Sequence, residues 1–372
     1  MAEPNAPSPQ QVTVIGLGLI GGSLCRAVRR FYPGVRLIGV DRNDVAAAAQ
    51  KDGLVHQGFS VQNLQAACSH SELIFVATPV AAAEQLLEPI AAAAPAGAVV
   101  SDAGSLKKTI CARAEQVFRT AEAGFIGGHP MAGGEKSGFR HADPFLFQNA
   151  IYVLTPGEGI PAGQLSFLSD FLRGLGAHVV LLDPAEHDEI VAAVSHLPQL
   201  LANTLMHFAA HRNRRNPLLL KMAAGGFRDM TRIASSPYDM WKDICSGNRA
   251  NILTAIDEFI AALQQMRSLV AADDLEAFFL DAARYRLSIP KDTRGFLYQH
   301  FELSVEVEDR PGIVAEIAVA LAEQDINIKD IEVLKVRENE GGTFRLAFAT
   351  RDECNRALEI LGRKGFRCRE MF

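Results

Sequence analysis

The stretch Val12-Thr13-Val14-Ile15-Gly16-Leu17-Gly18-Leu19-Ile20-Gly21 decides how this chain folds. Val12 to Ile15 reads as a short buried strand, and residues 18–30 read as a helix. Between them lies the spacing Gly-x-Gly-x-x-Gly. In that context Gly16 permits the tight turn, Gly18 lets a pyrophosphate approach the backbone, and Gly21 lets helix and strand pack closely. The helix start, with Leu19 and Ile20, offers N–H groups and the positive end of the helix dipole to the phosphates. A tight turn without a ligand is the bland alternative; the strand-then-helix context favours a dinucleotide.

Outward from this turn, Arg36 to Val40 reads as a second strand ending in Asp41. An acid about 20 residues beyond the glycines binds the ribose 2′-OH. A carboxylate there repels the 2′-phosphate of NADP, so NAD is the expected cofactor, although the neighbouring Arg42 works in the opposite sense. Leu73 to Ala77 and Val99 to Asp102 are further strands, ending in Thr78-Pro79 and Gly104-Ser105. Ala-rich helical segments at 44–50 and 80–94 separate the strands. Such alternation implies a doubly wound parallel sheet, a Rossmann-like α/β domain. Ligands of these sheets sit beyond the carboxyl ends of the strands, which places Thr78, Pro79 and Ser105 near the cofactor. Ser105 also reads as the N-cap of a helix at 106–118. Strands expected at Phe125 to Gly127, Ala150 to Thr155 and His178 to Leu182 extend this domain over 10–183.

From Pro184 the strand signals stop. Long segments of helical period, notably 185–211 and 239–270, predict an all-helical domain over 184–289 whose broad apolar faces suit a homodimer interface. Residues 290–300 read as a linker. Residues 301–372 then follow a β-α-β-β-α-β order, the ferredoxin-like pattern, with Gly312 opening its first helix, strands at 327–336 and 343–349, and a turn at Glu338-Asn339-Glu340-Gly341-Gly342.

Composition excludes several other classes. The 372 residues are 48% hydrophobic and 22% charged, with net charge -6. That is ordinary for a globular protein and gives no general attraction to nucleic acid. No apolar run is long enough for a membrane span. Residues 1–9 read as a disordered tail and not a signal peptide. The six cysteines are scattered without Cys-x-x-Cys, as expected of free thiols in a cytoplasmic protein. No grouping of His, Cys, Asp and Glu has metal-ligand spacing.

Candidate chemistry begins at His129, expected in a loop between Gly128 and Pro130. Imidazole titrates near neutral pH and can take a proton from an alcohol. Glu135 follows in a glycine-rich loop, as a pocket gate or a plain surface residue. His196 lies in a helix that Pro198 is expected to kink; it is either functional or a buried structural histidine. Arg232 offers a guanidinium fork for a carboxylate, or an ion pair with Asp229. Trp241, the single tryptophan, packs or lines the pocket.

Taken in order, the glycine turn, Gly127-Gly128-His129-Pro130-Met131-Ala132-Gly133, Ser195-His196-Leu197-Pro198 and Asp229-Met230-Thr231-Arg232-Ile233-Ala234 resemble the prephenate and arogenate dehydrogenases of tyrosine biosynthesis. Asp309-Arg310-Pro311-Gly312-Ile313 with Asn327-Ile328 resembles an ACT domain, an amino-acid-binding regulatory module. The resemblance implies NAD-dependent oxidative decarboxylation of prephenate to 4-hydroxyphenylpyruvate. It implies His129 as hydrogen-bond acceptor or base for the ring hydroxyl, assisted by Ser105. Arg232, His196, Glu135 and Trp241 would hold the substrate. L-tyrosine would act as effector at Asp309, Pro311, Gly312, Ile313, Asn327 and Ile328, unless the module is purely structural. Arogenate as substrate, a β-hydroxyacid dehydrogenase and a non-catalytic tyrosine sensor remain the alternatives.

Overall fold

The glycine-rich turn joins β1 (Gln11–Ile15) to the helix Leu19–Phe31. The structure, a computed structural model, describes residues 8–134, 136–289, 301–308, 310–337 and 341–371. Of the features expected from sequence, residues 1–7 of the tail, Glu135, the linker 290–300, Asp309 and the turn residues 338–340 lie outside the described residues. The chain divides into two units, Met1–Gly295 and Phe296–Phe372.

In the first unit β1 is flanked by β2 (Arg36–Asp41), β3 (Gln57–Ser60), β4 (Leu73–Val76), β5 (Val99–Asp102), β6 (Gly124–Pro130), β7 (Ile151–Pro156) and β8 (His178–Leu181). Their order across the sheet is β3-β2-β1-β4-β5-β6-β7-β8. The order reverses between β1 and β4, which opens the ligand crevice of doubly wound sheets at their carboxyl ends. Alternate residues serve opposite cores: Val12, Val14, Leu73 and Phe75 enter one apolar cluster, and Ile15, Ile74 and Val76 enter the other. Burial on both faces explains why these strands read as continuous apolar runs.

Three details differ from the sequence reading. β3 was not expected; Gln57-Gly58-Phe59-Ser60 is a short, half-buried edge strand with a single large apolar residue. β7 runs antiparallel to β6, so the sheet is not parallel throughout. β6 also continues to Pro130 and pairs His129 with Val153. His129 therefore sits in a strand paired with β7, and not in a loop.

Beyond β8 the described residues of this unit are helical. The segment expected as one helix over 185–211 is divided into Pro184–Val191, a wider π-helical turn Ala192–His196, and Leu197–Asn213. Pro198 lacks the N–H that would bond the Val194 carbonyl, and its ring crowds that carbonyl; the chain widens just before it. The segment expected over 239–270 is split into Tyr238–Gly247 and Arg249–Ala272, with Asn248 buried between them. Among the described residues no helix is long and apolar enough to cross a membrane.

In the second unit β9 (Phe301–Val307), β10 (Asp330–Arg337), β11 (Gly341–Phe348) and β12 (Arg367–Met371) form an antiparallel sheet in the order β10-β11-β9-β12. The helices Ile313–Ala322 and Arg351–Arg363 complete the ferredoxin-like unit. Gly312 starts the first of these at φ +89°, a left-handed conformation that side chains disfavour. Because β10 starts at Asp330, Asn327 and Ile328 precede the strand instead of opening it.

Candidate active site

The turn after β1 is shaped by steric exclusion. A Cβ on Gly16 would lie 2.6 Å from the Ala77 carbonyl oxygen, and one on Gly21 would lie 1.9 Å from that of Gly16. Above Gly18 the space is open, as a backbone cradle for phosphate requires. At the end of β2 the Asp41 carboxylate accepts the N–H groups of Leu17 at 2.6 Å and Arg42 at 2.7 Å. Leu17, Gly18, Asp41 and Arg42 line a cavity of about 380 Å³ with Arg140 and His141. Arg42 is exposed and lies 3.8 Å from Asp44. Across the crevice the hydroxyl of Thr78, after β4, is buried without a partner among the described residues, and Pro79 starts the next helix, Val80–Ala93. An open glycine turn, a ribose-height carboxylate and an orphaned hydroxyl fit a dinucleotide.

The catalytic candidates gather at the same carboxyl edge. Gly128 lacks a Cβ where one would meet the Asp102 carbonyl oxygen at 2.6 Å, so β6 can press against β5. The Gly128 N–H donates to Asp102 Oδ1 at 3.1 Å, and Asp102 Oδ2 receives the Gly104 N–H at 2.8 Å and the Lys107 ammonium. Lys107 and Asp102 are both fully buried. Ser105 lies in the bend that Asp102 ties down. It does not cap the following helix, which starts at Lys108.

That cap comes from a distant segment. Asp183 accepts the N–H groups of Ala185 and Glu186 and, with Pro184, starts the helix Pro184–Val191. Its first turns bury His187 and Asp188 against the sheet region. The Asp188 carboxylate accepts the N–H groups of Lys107 at 2.8 Å and Lys108 at 3.0 Å. It also meets His187 Nδ1 at 2.8 Å, and His187 Nε2 meets His129 Nδ1 at 2.8 Å. The Asp188 carbonyl receives Asn248 Nδ2 at 2.6 Å, and that same amide lies 3.3 Å from His196 Nδ1. The Trp241 ring meets His196 edge-on at 6.0 Å, and its Nε1 is buried without a partner among the described residues.

Burial, then the Lys107 ammonium, His187 and His196, hold the His129 imidazole well below its ordinary value. Burial, only partly offset by Asp188, takes His196 down to about 4. Burial alone would raise the Asp188 carboxyl, but the hydrogen bonds from His187, Lys107 and Lys108 outweigh it and keep the carboxyl below its usual range. Both histidines are therefore neutral near pH 7.

The structure thus gathers His129, His196 and Trp241, with Ser105 at the neighbouring strand end. Arg232 is exposed and heads the turn Arg232–Ser235, which Gln199 anchors by donating to the Ile233 carbonyl at 2.8 Å. Sequence reasoning missed Asp102, Lys107, His187, Asp188 and Asn248. The adjacent His187-Asp188 pair was visible, but its partners lie 58 and 81 residues away. In the second unit a cavity of about 760 Å³ is lined by Glu306, Arg310, Ile313, Glu316 and Arg367, among others. Of the effector residues expected from sequence, the cavity lining includes Ile313.

Comparison with known proteins agrees with this geometry. The family profile "Prephenate dehydrogenase, nucleotide-binding domain" matches residues 24–181. The profile "Prephenate dehydrogenase, dimerization domain" matches 183–281, and "ACT domain" matches 301–354. Prephenate dehydrogenase of Bacillus subtilis is 37% identical over 355 residues, 94% of this chain and 95% of that protein. The Lactococcus lactis enzyme is 34% identical over 95% of this chain and 97% of its own length. Among solved structures, Aquifex aeolicus prephenate dehydrogenase in complex with hydroxyphenyl propionate and NAD+ superposes with a TM-score of 0.70 at 27% identity, covering 77% of this chain and 100% of that one. Synechocystis arogenate dehydrogenase gives a TM-score of 0.67 at 31% identity, covering 75% and 100%. With matches of this extent joined to a dinucleotide turn and a half-buried imidazole at one sheet edge, the chain belongs to the prephenate dehydrogenase family.

Proposed function

We propose that this chain catalyses the NAD-dependent oxidative decarboxylation of prephenate to 4-hydroxyphenylpyruvate, with His129 as acceptor for the ring hydroxyl. The observation that carries the assignment is the position of the His129 imidazole, hydrogen-bonded to His187, at the carboxyl edge of the sheet that bears the glycine turn. The Bacillus subtilis and Lactococcus lactis relatives, each covering nearly the whole chain, are prephenate dehydrogenases.

Bound NAD+ supplies the hydride acceptor. Hydride leaves ring C4 while the C1 carboxylate departs as CO2, and the bonding pair it leaves enters the ring. The product is a neutral phenol, so no net proton is released at the C4 oxygen. His129 need only accept a hydrogen bond that strengthens as C4 loses electrons, which is the kind of contact that lowers a barrier. Ser105, at the next strand end, assists. Arg232 takes a substrate carboxylate, while His196 and Trp241 orient the rest of the dianion and Glu135 gates the pocket. Gly16, Gly18, Leu19, Ile20, Gly21, Asp41, Arg42, Thr78 and Pro79 hold the cofactor.

In this reading residues 10–183 bind nucleotide, 184–289 complete the substrate site and form a homodimer, and 301–372 regulate. Exposed Phe208, Met222, Met240, Leu253 and Ile260 in the helical region support the dimer. L-tyrosine is the effector of the ACT domain. The likeness to Synechocystis arogenate dehydrogenase favours arogenate as a second substrate. The test is NADH formation with each substrate in parallel. Faster turnover of prephenate is expected; no NADH from prephenate overturns the assignment.

A further inference from the structure

We propose that Asp188 acts as a positioning residue that sets His129 and His196 in opposite tautomers, through His187 and Asn248 respectively. This rests on the reading of His129 as the acceptor for the substrate hydroxyl.

The number of protons available along these contacts fixes both tautomers. An ionised carboxylate only accepts, so the 2.8 Å contact from Asp188 Oδ1 requires the proton on His187 Nδ1. In neutral imidazole His187 Nε2 is then a bare acceptor. The 2.8 Å contact to His129 Nδ1 needs one proton between the two nitrogens, and His129 must supply it. His129 Nε2 is left without a proton, as its role demands. A cationic His187 would instead donate from Nε2 and leave His129 protonated on Nε2, the opposite tautomer. The acids near this chain of contacts are Asp188 and Asp102; Asp102 is occupied by Lys107, Gly104 and Gly128.

The second branch leaves from the Asp188 carbonyl. A carbonyl accepts, so the atom of Asn248 at 2.6 Å is the amide nitrogen. The Asn248 oxygen confirms this orientation by accepting Asn251 Nδ2 at 2.9 Å. The remaining N–H of that amide faces His196 Nδ1 at 3.3 Å, which must be the acceptor. Neutral His196 therefore carries its proton on Nε2. One imidazole offers a lone pair and the other an N–H, as a substrate with a hydroxyl donor at one end and anionic or carbonyl oxygens at the other requires. The same residue also caps the helix at Lys108, so domain packing and tautomer choice are set together.

The experiment is 15N NMR of histidine-labelled full-length protein with NAD+ bound. The signals are assigned by their loss in His129→Ala and His196→Ala. The expected result is a protonated Nδ1 at His129 and a protonated Nε2 at His196. In Asp188→Leu the His187 Nδ1–H has no acceptor, so nothing holds the proton on that nitrogen and the relay is no longer fixed. Its kcat should fall ~10²–10³-fold, the range for losing one hydrogen bond that strengthens in the transition state, with NAD+ affinity unchanged. His187→Phe should lower kcat without raising KM, whereas Asn248→Ala should raise KM more than it lowers kcat. A wild-type His129 protonated on Nε2, or normal kcat in His187→Phe, overturns the proposal. If His129→Ala itself keeps its kcat, the assignment of His129 as the acceptor has failed instead.

Discussion

The Asp188 carboxylate accepts the Lys107 N–H at 2.8 Å across a separation of 81 residues. The helical region thereby caps the helix that follows the bend after β5, while the Lys107 side chain reaches back to Asp102. Fold stability and site geometry share these atoms.

Lys107→Met should expose that dependence. The substitution keeps the volume but leaves Asp102 as an uncompensated buried charge. Breaking a buried pair in this way costs roughly 3–5 kcal/mol. Urea unfolding followed by circular dichroism measures it; an unchanged midpoint would show that Asp102 is satisfied by its backbone donors.

The pH dependence of kcat should follow His129. Its folded-state value lies below 6.5, and only the neutral ring accepts a hydrogen bond. Activity should therefore persist as pH drops past 6.5 and decline only below it. Stability has the same sign. The unfolded chain takes up protons near 6.5, whereas folded His196 resists until about 4. The stabilisation is complete above 6.5 and lost as pH falls towards 4. A melting temperature that stays flat across that interval contradicts buried neutral imidazoles.

Arg232→Ala should raise the KM for prephenate on the order of 10–100-fold while nucleotide affinity holds, since a lost charge-assisted bond costs about 1.5–3 kcal/mol. If KM barely moves, the guanidinium serves the local fold and not the substrate.

Asp41→Ser should narrow the preference for NAD over NADP by removing repulsion of the 2′-phosphate. Asp41 also holds the Leu17 N–H, so some loss of NAD affinity is expected alongside. Wild-type preference for NADP would transfer the determinant to Arg42, which stands exposed at the same cavity.

Removing residues 297–372, which cut at the boundary between the two units, should abolish inhibition by L-tyrosine and leave turnover. Linkage requires tyrosine to bind the less active state more tightly. A truncated enzyme that is active and equally sensitive would mean tyrosine acts at the substrate site.

Residues 12–21 by themselves determined the nucleotide end of the molecule. Strand, turn and helix are adjacent in the chain there, and each glycine answers a steric demand within a few residues. The β-α-β-β-α-β order of 301–372 was legible for the same reason, since short connections make sequence neighbours into spatial neighbours. Only the tertiary structure decided the surroundings of His129. Its tautomer is governed by His187 and Asp188, its charge by burial and then Lys107, and its placement by a strand that the motif Gly127-Gly128-His129-Pro130 had suggested was a loop. These partners converge on β6 from the bend after β5 and from the helix Pro184–Val191. Hydrogen bonds between side chains leave no periodic trace in a sequence, because they depend on which faces meet after the core has closed.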